Sequence, residues 1–407
     1  MHSTIGTKEQ PIIIAGAGIA GLSAGLALAK KGFFVEILEA NRAPQEVGAG
    51  LQLASNATRI LENLGLLGAC QKLGVEPDTL CLNDGKAGTT RLNIPLKEIA
   101  KRRWQSPYLS IHRADLQRVL LEAAQNNTFI ALLFNHRLTS QRSDTDGVVV
   151  TVKTEGLKKE LKTGFLVGCD GVWSALRQSS PNHDKSTFSG FIAWRTTVDA
   201  SSVPQALIKT NNSVRSINVW MGAHNHLVAY PIQSGRAYNF VAITRGRNPG
   251  ETWSRQGDKS ALIQLFNGWN ATILDFFQSV DNWTYWPLFA MTPIKFSQSE
   301  RVVYLGDTAH SFLPFAAQGA AMAIEDAATL SEALVLDLPL AEAVNLFSSA
   351  RQKRVAAVSK RGNFNGFVYH LAGPMAVARN LVMKMRPAES FMAGLDWLYS
   401  FDATRLR

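Results

Sequence analysis

Short β-branched runs and stretches of helical period alternate along the chain, and their spacing predicts its elements. Residues 11–15 form a β-branched run, residues 16–21 a glycine turn, residues 22–31 an alanine–leucine segment of helical period, and residues 33–38 a second strand. That is a β-α-β opening. Residues 148–152 and 165–167 read as strands, the latter running into Cys169-Asp170-Gly171, and residues 301–305 as a strand ending at Gly306-Asp307. From about residue 188 to 243 the pattern changes to alternating strands, clearest at 217–220, 227–230 and 239–243, which predicts an antiparallel sheet inserted into the α/β unit. After Gly319 the chain reads as helix, through residues 320–335 and 340–360. No internal repeat or low-complexity linker breaks it, so interleaved units are expected rather than beads on a string.

Composition narrows the class. A chain of 407 residues with 46% hydrophobic and 18% charged residues can bury one large core or two packed ones. No apolar run of about 18 residues occurs, so no membrane span is expected, and the polar first ten residues do not read as a secretory leader. Three widely spaced cysteines, Cys70, Cys81 and Cys169, have neither zinc nor redox-motif spacing; they are expected to be reduced, which fits a cytoplasmic protein. The net charge of +10 is scattered, with short clusters only at Lys101-Arg102-Arg103 and Arg351 to Arg354, neither interleaved with aromatics. This argues against nucleic acid and for a field that attracts dinucleotide phosphates and carboxylates.

The glycine turn carries the first chemistry. Gly16-x-Gly18-x-x-Gly21 follows a strand and opens a helix, the context of a dinucleotide fingerprint. Gly16 permits the tight turn, Gly18 lets a pyrophosphate approach the backbone, and Gly21 lets helix pack on strand, with Ala20 in the same turn. Glu39, at the end of the second strand, is placed to bind ribose hydroxyls. No His or carboxylate cluster has metal-ligand spacing, so no metal is expected.

Two further segments give the chain its resemblance. Residues 168–177, Gly-Cys-Asp170-Gly171-Val-Trp-Ser-Ala-Leu-Arg177, and residues 306–310, Gly306-Asp307-Thr308-Ala309-His310, followed by Pro314, Gln318-Gly319-Ala320-Ala321 and Ile324-Glu325-Asp326-Ala327, resemble the Asp-Gly and Gly-Asp motifs of the flavoprotein aromatic hydroxylases of the 4-hydroxybenzoate hydroxylase fold. The likeness runs over nearly the whole chain. It implies an α/β fold, a Rossmann-like FAD-binding domain interleaved with a mixed β-sheet substrate domain and completed by a helical C-terminus. The expected extents are residues 8–75, 107–178 and 293–335 for the FAD domain, 76–106 and 179–292 for the substrate domain, and 336–407 for the C-terminal helices.

By the same resemblance, Asp170 and Asp307 contact the cofactor, Asp307 through the ribityl hydroxyls. Pro314 lies near the flavin C4a, and Gly319, Ala320 and Ala321 open a helix whose dipole faces the flavin edge that becomes negative on reduction. Tyr108 to Leu116 resembles the family segment whose arginine reaches the cofactor, a role that falls to Arg113, while Leu138 matches a position lying against the adenosine end. His112 reads as a packed histidine.

Within the family, the segments Gly48-Ala49-Gly50-Leu51-Gln52 with Asn56, His226 to Pro231, Gly366 to Leu371 and Asp396 to Tyr399 resemble the salicylate, 3-hydroxybenzoate and 6-hydroxynicotinate hydroxylases. His226 and Tyr230, four apart on an expected strand, share a face. If that face roofs the flavin, His226, titrating near neutrality, takes the proton of a substrate phenol and Tyr230 positions the same oxygen. Some relatives carry a histidine where this chain has Gln52, which can hydrogen-bond flavin or substrate but cannot take a proton. The resemblance implies a single-component monooxygenase, using NADH or NADPH as a transient co-substrate and O2 to hydroxylate a small aromatic acid through a flavin C4a-hydroperoxide, as monomer or homodimer. A flavin-dependent epoxidase or Baeyer–Villiger-like oxygenase acting on a larger neutral substrate, or a flavin redox sensor without turnover, are the alternatives.

Overall fold

The computed structural model describes residues 5–43, 49–178, 186–209, 213–248, 255–291, 295–311 and 313–406. Gly48, named above in the glycine loop, lies outside them. A six-stranded sheet forms the base, in the order Ser297–Ser299, Val302–Tyr304, Leu166–Gly168, Ile12–Ala15, Val35–Leu38, Ile130–Leu133. All pairings in it are parallel except that of the edge strand Ser297–Ser299. Ile12, Ile13 and Ile14 are essentially inaccessible, as a strand covered on both faces requires. The helix Ile19–Lys30 packs against this sheet and against the helix Gly319–Leu334, so the glycine turn and the distant Gly-Asp segment meet at one end of the sheet.

A second sheet of eight strands stands over that end. Its order is Arg255–Gln256, Thr284–Ala290, Thr187–Asp199, Ala237–Arg245, His226–Ile232, Ser216–Met221, Thr79–Asp84, Thr90–Ile94. Thr79–Asp84 runs parallel to Ser216–Met221 while its other neighbours are antiparallel, so the sheet is mixed. One face packs on the helices Lys259–Leu265 and Ala271–Ser279 through an aromatic cluster including Phe240, Phe276 and Trp283. The other face turns to the interior between the two sheets. The helix expected over residues 340–360 continues to Tyr369, and its last turns reach that interior.

The helix Gly319–Leu334 is fixed by charges buried beneath it. Arg351 Nη1 donates to Glu325 at 2.7 Å and its Nε to Asp326 at 2.7 Å, with all three side chains at 1% exposure or less. Arg354 Nη2 binds the same Glu325 at 2.8 Å, and His310 Nε2 lies 2.6 Å from Asp326. Both arginines of the short basic cluster at residues 351–354 are thus internal. Burial pushes both carboxyls up, but the facing groups outweigh it: Arg351 and Arg354 leave Glu325 below its ordinary range, and His310 and Arg351 do the same for Asp326. Groups lowered in the folded state stabilise it above about pH 4, and that contribution is lost as pH falls through the folded values.

Among the described residues no helix is long and apolar enough to cross a membrane, and Cys70, Cys81 and Cys169 are buried thiols that form no disulfide. Removing Arg351 leaves two buried carboxylates short of partners. Arg351→Met is expected to lower the unfolding free energy by about 3–5 kcal/mol in a urea titration, whereas Arg118→Ala, which breaks an exposed pair with Asp115, changes it by less than about 1 kcal/mol.

Candidate active site

The turn after Ile12–Ala15 is shaped for close approach. Gly16 sits at φ +103°, and a Cβ there would meet the Cys169 carbonyl oxygen at 2.6 Å; a Cβ on Gly21 would meet the Gly16 carbonyl oxygen at 1.9 Å. Gly18 faces open space instead, and the helix it caps receives no side-chain hydrogen bond at its N-terminus. Free N–H groups, the positive helix end and room beside Gly18 suit a pyrophosphate. Glu39 sits beside this turn, with Oε2 accepting from the Ala17 amide at 3.0 Å and Oε1 from Asn41.

The Asp-Gly and Gly-Asp segments are stitched together. The Gly171 amide donates to Thr308 Oγ1 at 2.8 Å, and buried Arg177 donates to the carbonyls of Thr308 and Ala309. Asp170 is held by the Leu176 amide and Thr308; its burial pushes its carboxyl above the ordinary range. Asp326 accepts from the Gly306 amide at 2.9 Å, so the ion network under the helix Gly319–Leu334 also sets the loop that presents Asp307.

Between the two sheets lies a cavity of about 370 Å³. Gln52, Arg113, His226, Tyr230, Asp307, Pro314, Gly319 and Ala320 all face it, although they come from distant stretches of chain. Gly319 begins a helix with no side-chain N-cap, so that end of the cavity is lined by unpaired amides. The helix-end amides there, the open cradle at Gly18 and Asp307 at the strand end fit an extended dinucleotide with a flat ring system in the cavity. Ala20 and Ala321 sit on the two helices that flank this path, and Ala321 is fully buried. Leu138 is buried in the strand Arg137–Ser143 of a separate three-stranded sheet, and its side chain packs in the core. His112 is a helix cap, its Nδ1 accepting from the Ala114 amide.

One expectation changes and another narrows. His226 is 2% exposed, its Nδ1 is 2.7 Å from His370 Nε2, and desolvation together with His370 holds it well below the ordinary histidine range, so it does not titrate near neutrality. The Tyr230 hydroxyl donates to the Gly50 carbonyl at 2.6 Å while Asn239 Oδ1 accepts from the Gly50 amide at 2.8 Å. With its proton committed there, Tyr230 clamps the glycine loop, and it can position a substrate oxygen only by accepting from it. Gln52 in turn accepts from Tyr108 at 2.7 Å.

Sequence reasoning passed over Arg195, Trp286 and the part His370 plays. The signal for Arg195 was a lone charge in the otherwise apolar run Phe191-Ile192-Ala193-Trp194, on the parity that faces inward. His370 lay in a quoted segment, but only the packing of a C-terminal helix against the sheet brings it to His226.

Residues 9–361 match the family model described as an FAD binding domain. The chain is 32% identical to 3-hydroxybenzoate 6-hydroxylase of Polaromonas naphthalenivorans, over 97% of this chain and 96% of that one. It is 30% identical to a 3-amino-4-hydroxybenzoate 2-monooxygenase of Streptomyces platensis, over 98% of each. The structure of Klebsiella pneumoniae HpxO, solved with FAD and uric acid, superposes with a TM-score of 0.81 at 21% identity, covering 96% of both chains, a likeness of fold. The fingerprint turn, the uncapped helix over the cavity and these relatives together make the chain a member of the FAD-dependent aromatic hydroxylases, a monooxygenase family with FAD as its cofactor.

Proposed function

We propose that the protein hydroxylates a small phenolic acid of the hydroxybenzoate kind, with NADH or NADPH as electron donor and O2 as oxygen donor. The observation that carries this reading is His226 in the cavity wall, its Nδ1 2.7 Å from His370 Nε2 and its proton affinity lowered by burial. Bound FAD supplies the redox chemistry, accepting electrons from the nicotinamide and activating O2. The unpaired amides at Gly319 favour the anionic reduced ring, and Gly16, Gly18, Gly21, Glu39, Asp170, Asp307 and Arg113 would hold the rest of the cofactor.

The protein's own contribution to substrate chemistry is movement of a proton. A phenolate is more electron-rich than a phenol, so oxygen transfer to the ring is faster after deprotonation. His226 Nε2 accepts the phenolic proton while its Nδ1 proton passes to His370 Nε2. The positive charge then leaves a buried ring for a half-buried one, which answers the desolvation that holds His226 low. His370 itself is pushed down to about 4 by burial, with Arg245 and His224 adding to the effect, so in the free protein both rings are neutral at pH 7, and the phenolate formed beside the pair is what offsets their low basicity. The apolar side chains of Phe315, Ile243 and Val241 keep water from the reacting centre.

His226→Ala is expected to retain FAD absorbance and lower kcat/KM by about 10²–10⁴-fold for phenolic acids; unchanged turnover would overturn the assignment and favour an oxygenase acting on neutral substrates. Because burial lowers the histidine pair, the acid limb of the kcat/KM profile should lie well below pH 6.5 rather than near it. A limb at ordinary histidine values, absent in His226→Ala, would contradict the buried neutral pair. A panel of hydroxybenzoates and hydroxynicotinates, scored by NAD(P)H oxidation together with product mass, tests the substrate class; peroxide release alone would mark an effector.

A further inference from the structure

Arg195 lies in the strand Thr187–Asp199, near the middle of the eight-stranded sheet, and its side chain faces the cavity. Its cross-strand neighbours in the same row are Val241 and, beyond it, Val228, both apolar and both in the cavity wall. Its Nε is buried without a hydrogen-bond partner. No carboxylate pairs with it among the described residues; its guanidinium carbon lies 5.2 Å from the centre of the Trp286 ring. Burial lowers the affinity of this guanidinium for its proton; nearby Tyr230 opposes the shift and Arg113 adds to it. An uncompensated buried guanidinium is costly, and one that faces a cavity is compensated most directly by an anion brought in from outside.

We propose that Arg195, backed by Trp286, is the subsite for the carboxylate of the aromatic substrate, and that the carboxylate and the ring hydroxyl stand meta or para to each other. The inference rests on the hydroxylase reading above for the identity of the hydroxyl end. The register gives the spacing. His226 pairs with Ile243 and Ile243 with Ala193, while Arg195 pairs with Val241, so Arg195 stands two strands across and two residues along from His226 on the same face. Strands about 4.8 Å apart and two residues spanning about 6.8 Å separate the two Cα atoms by about 12 Å. With the two side chains projecting side by side from the same face, their tips keep about that separation, and hydrogen bonds of about 3 Å at each end leave about 6 Å between the substrate's outer oxygens. That span crosses a benzene ring from meta or para substituents; ortho substituents lie within hydrogen-bond distance of each other and fall short of it. The FAD phosphates are not competitors for Arg195, because the cradle at Gly16 to Gly21 is at the end of the other sheet.

The test uses the FAD-loaded enzyme and follows perturbation of the flavin spectrum on titration with benzoate, benzamide, and 2-, 3- and 4-hydroxybenzoate. Benzoate and benzamide lack the ring hydroxyl, so their binding separates this subsite from the fate of the hydroxylase reading. The expected result is that Arg195→Met weakens benzoate roughly 10- to 100-fold while benzamide changes by less than about 3-fold, and that Arg195→Lys recovers part of the benzoate affinity because the charge returns without the planar fork. In the wild type, 3- or 4-hydroxybenzoate should bind at least about 10-fold more tightly than 2-hydroxybenzoate. Equal loss of benzoate and benzamide in Arg195→Met would point to collapse of the wall, and an unchanged benzoate-to-benzamide ratio would remove the subsite; either overturns the proposal. Tightest binding of the 2-hydroxy acid would overturn the spacing. If Arg195→Met loses benzoate yet no hydroxybenzoate is turned over by the wild type, the carboxylate subsite stands and the hydroxylase reading falls.

Discussion

Arg351 lies between Glu325 and Asp326 at the centre of the molecule, and the geometry around the flavin cavity depends on that buried bridge. The two carboxylates are neighbours on one helix, so a single guanidinium fixes both the rotation and the depth of Gly319–Leu334. Asp326 also holds the Gly306 amide and His310, and Glu325 receives Asn56 Nδ2 at 2.7 Å. The same network therefore sets the helix end that faces the flavin, the loop that carries Asp307 and the helix that follows the glycine loop. Arg354 extends it to the carbonyls of Trp397 and Leu398 and stacks its guanidinium 4.0 Å from the Phe401 ring centre, tying down the C-terminal segment. A pair of this kind stabilises little in net terms against an apolar replacement, but breaking it leaves a bare charge in the core. Its function is to fix one arrangement.

The eight-stranded sheet supplies the opposite wall, and its polar side chains on that face divide their tasks. Tyr230 and Asn239 grip Gly50 and so shape the loop. His226 turns one nitrogen to His370 and lines the cavity. Arg195 has no carboxylate partner among the described residues and lies against the Trp286 ring. Each stands among valine, isoleucine and phenylalanine, where a low local dielectric strengthens every polar contact a ligand makes and makes every missing one costly. The cavity thus selects for a molecule that is flat, apolar in its middle and polar at its ends.

Much of the cofactor half was legible in the chain because its determinants are local. A strand, three glycines and a helix occupy consecutive residues, and Glu39 follows on the next strand at a distance set by one β-α-β turn. The Asp-Gly and Gly-Asp segments were recognisable for the same reason, each being a strand end with its following turn. Residues 9–361 matching an FAD binding domain agrees with that reading. The helix beginning at Gly319 could be placed to within a residue, whereas the following one runs to Tyr369, beyond the expected 360.

What the sequence by itself determined was therefore the order of elements and a dinucleotide turn, written in spacing along the chain, and, through the resemblance of its local motifs, the cofactor and the enzyme family. Only the tertiary structure decided the chemistry of the substrate end. His226 meets His370 across 144 residues, so its partner and its lowered proton affinity come from packing that no local pattern encodes. Likewise the position of Arg195 relative to His226 follows from the register of three strands, and the burial of Arg351 and Arg354, which in the chain are only a short basic cluster, follows from which face of a long helix meets Gly319–Leu334. Charge and pattern specify a residue's type, but its proton affinity and its partners depend on what surrounds it in three dimensions.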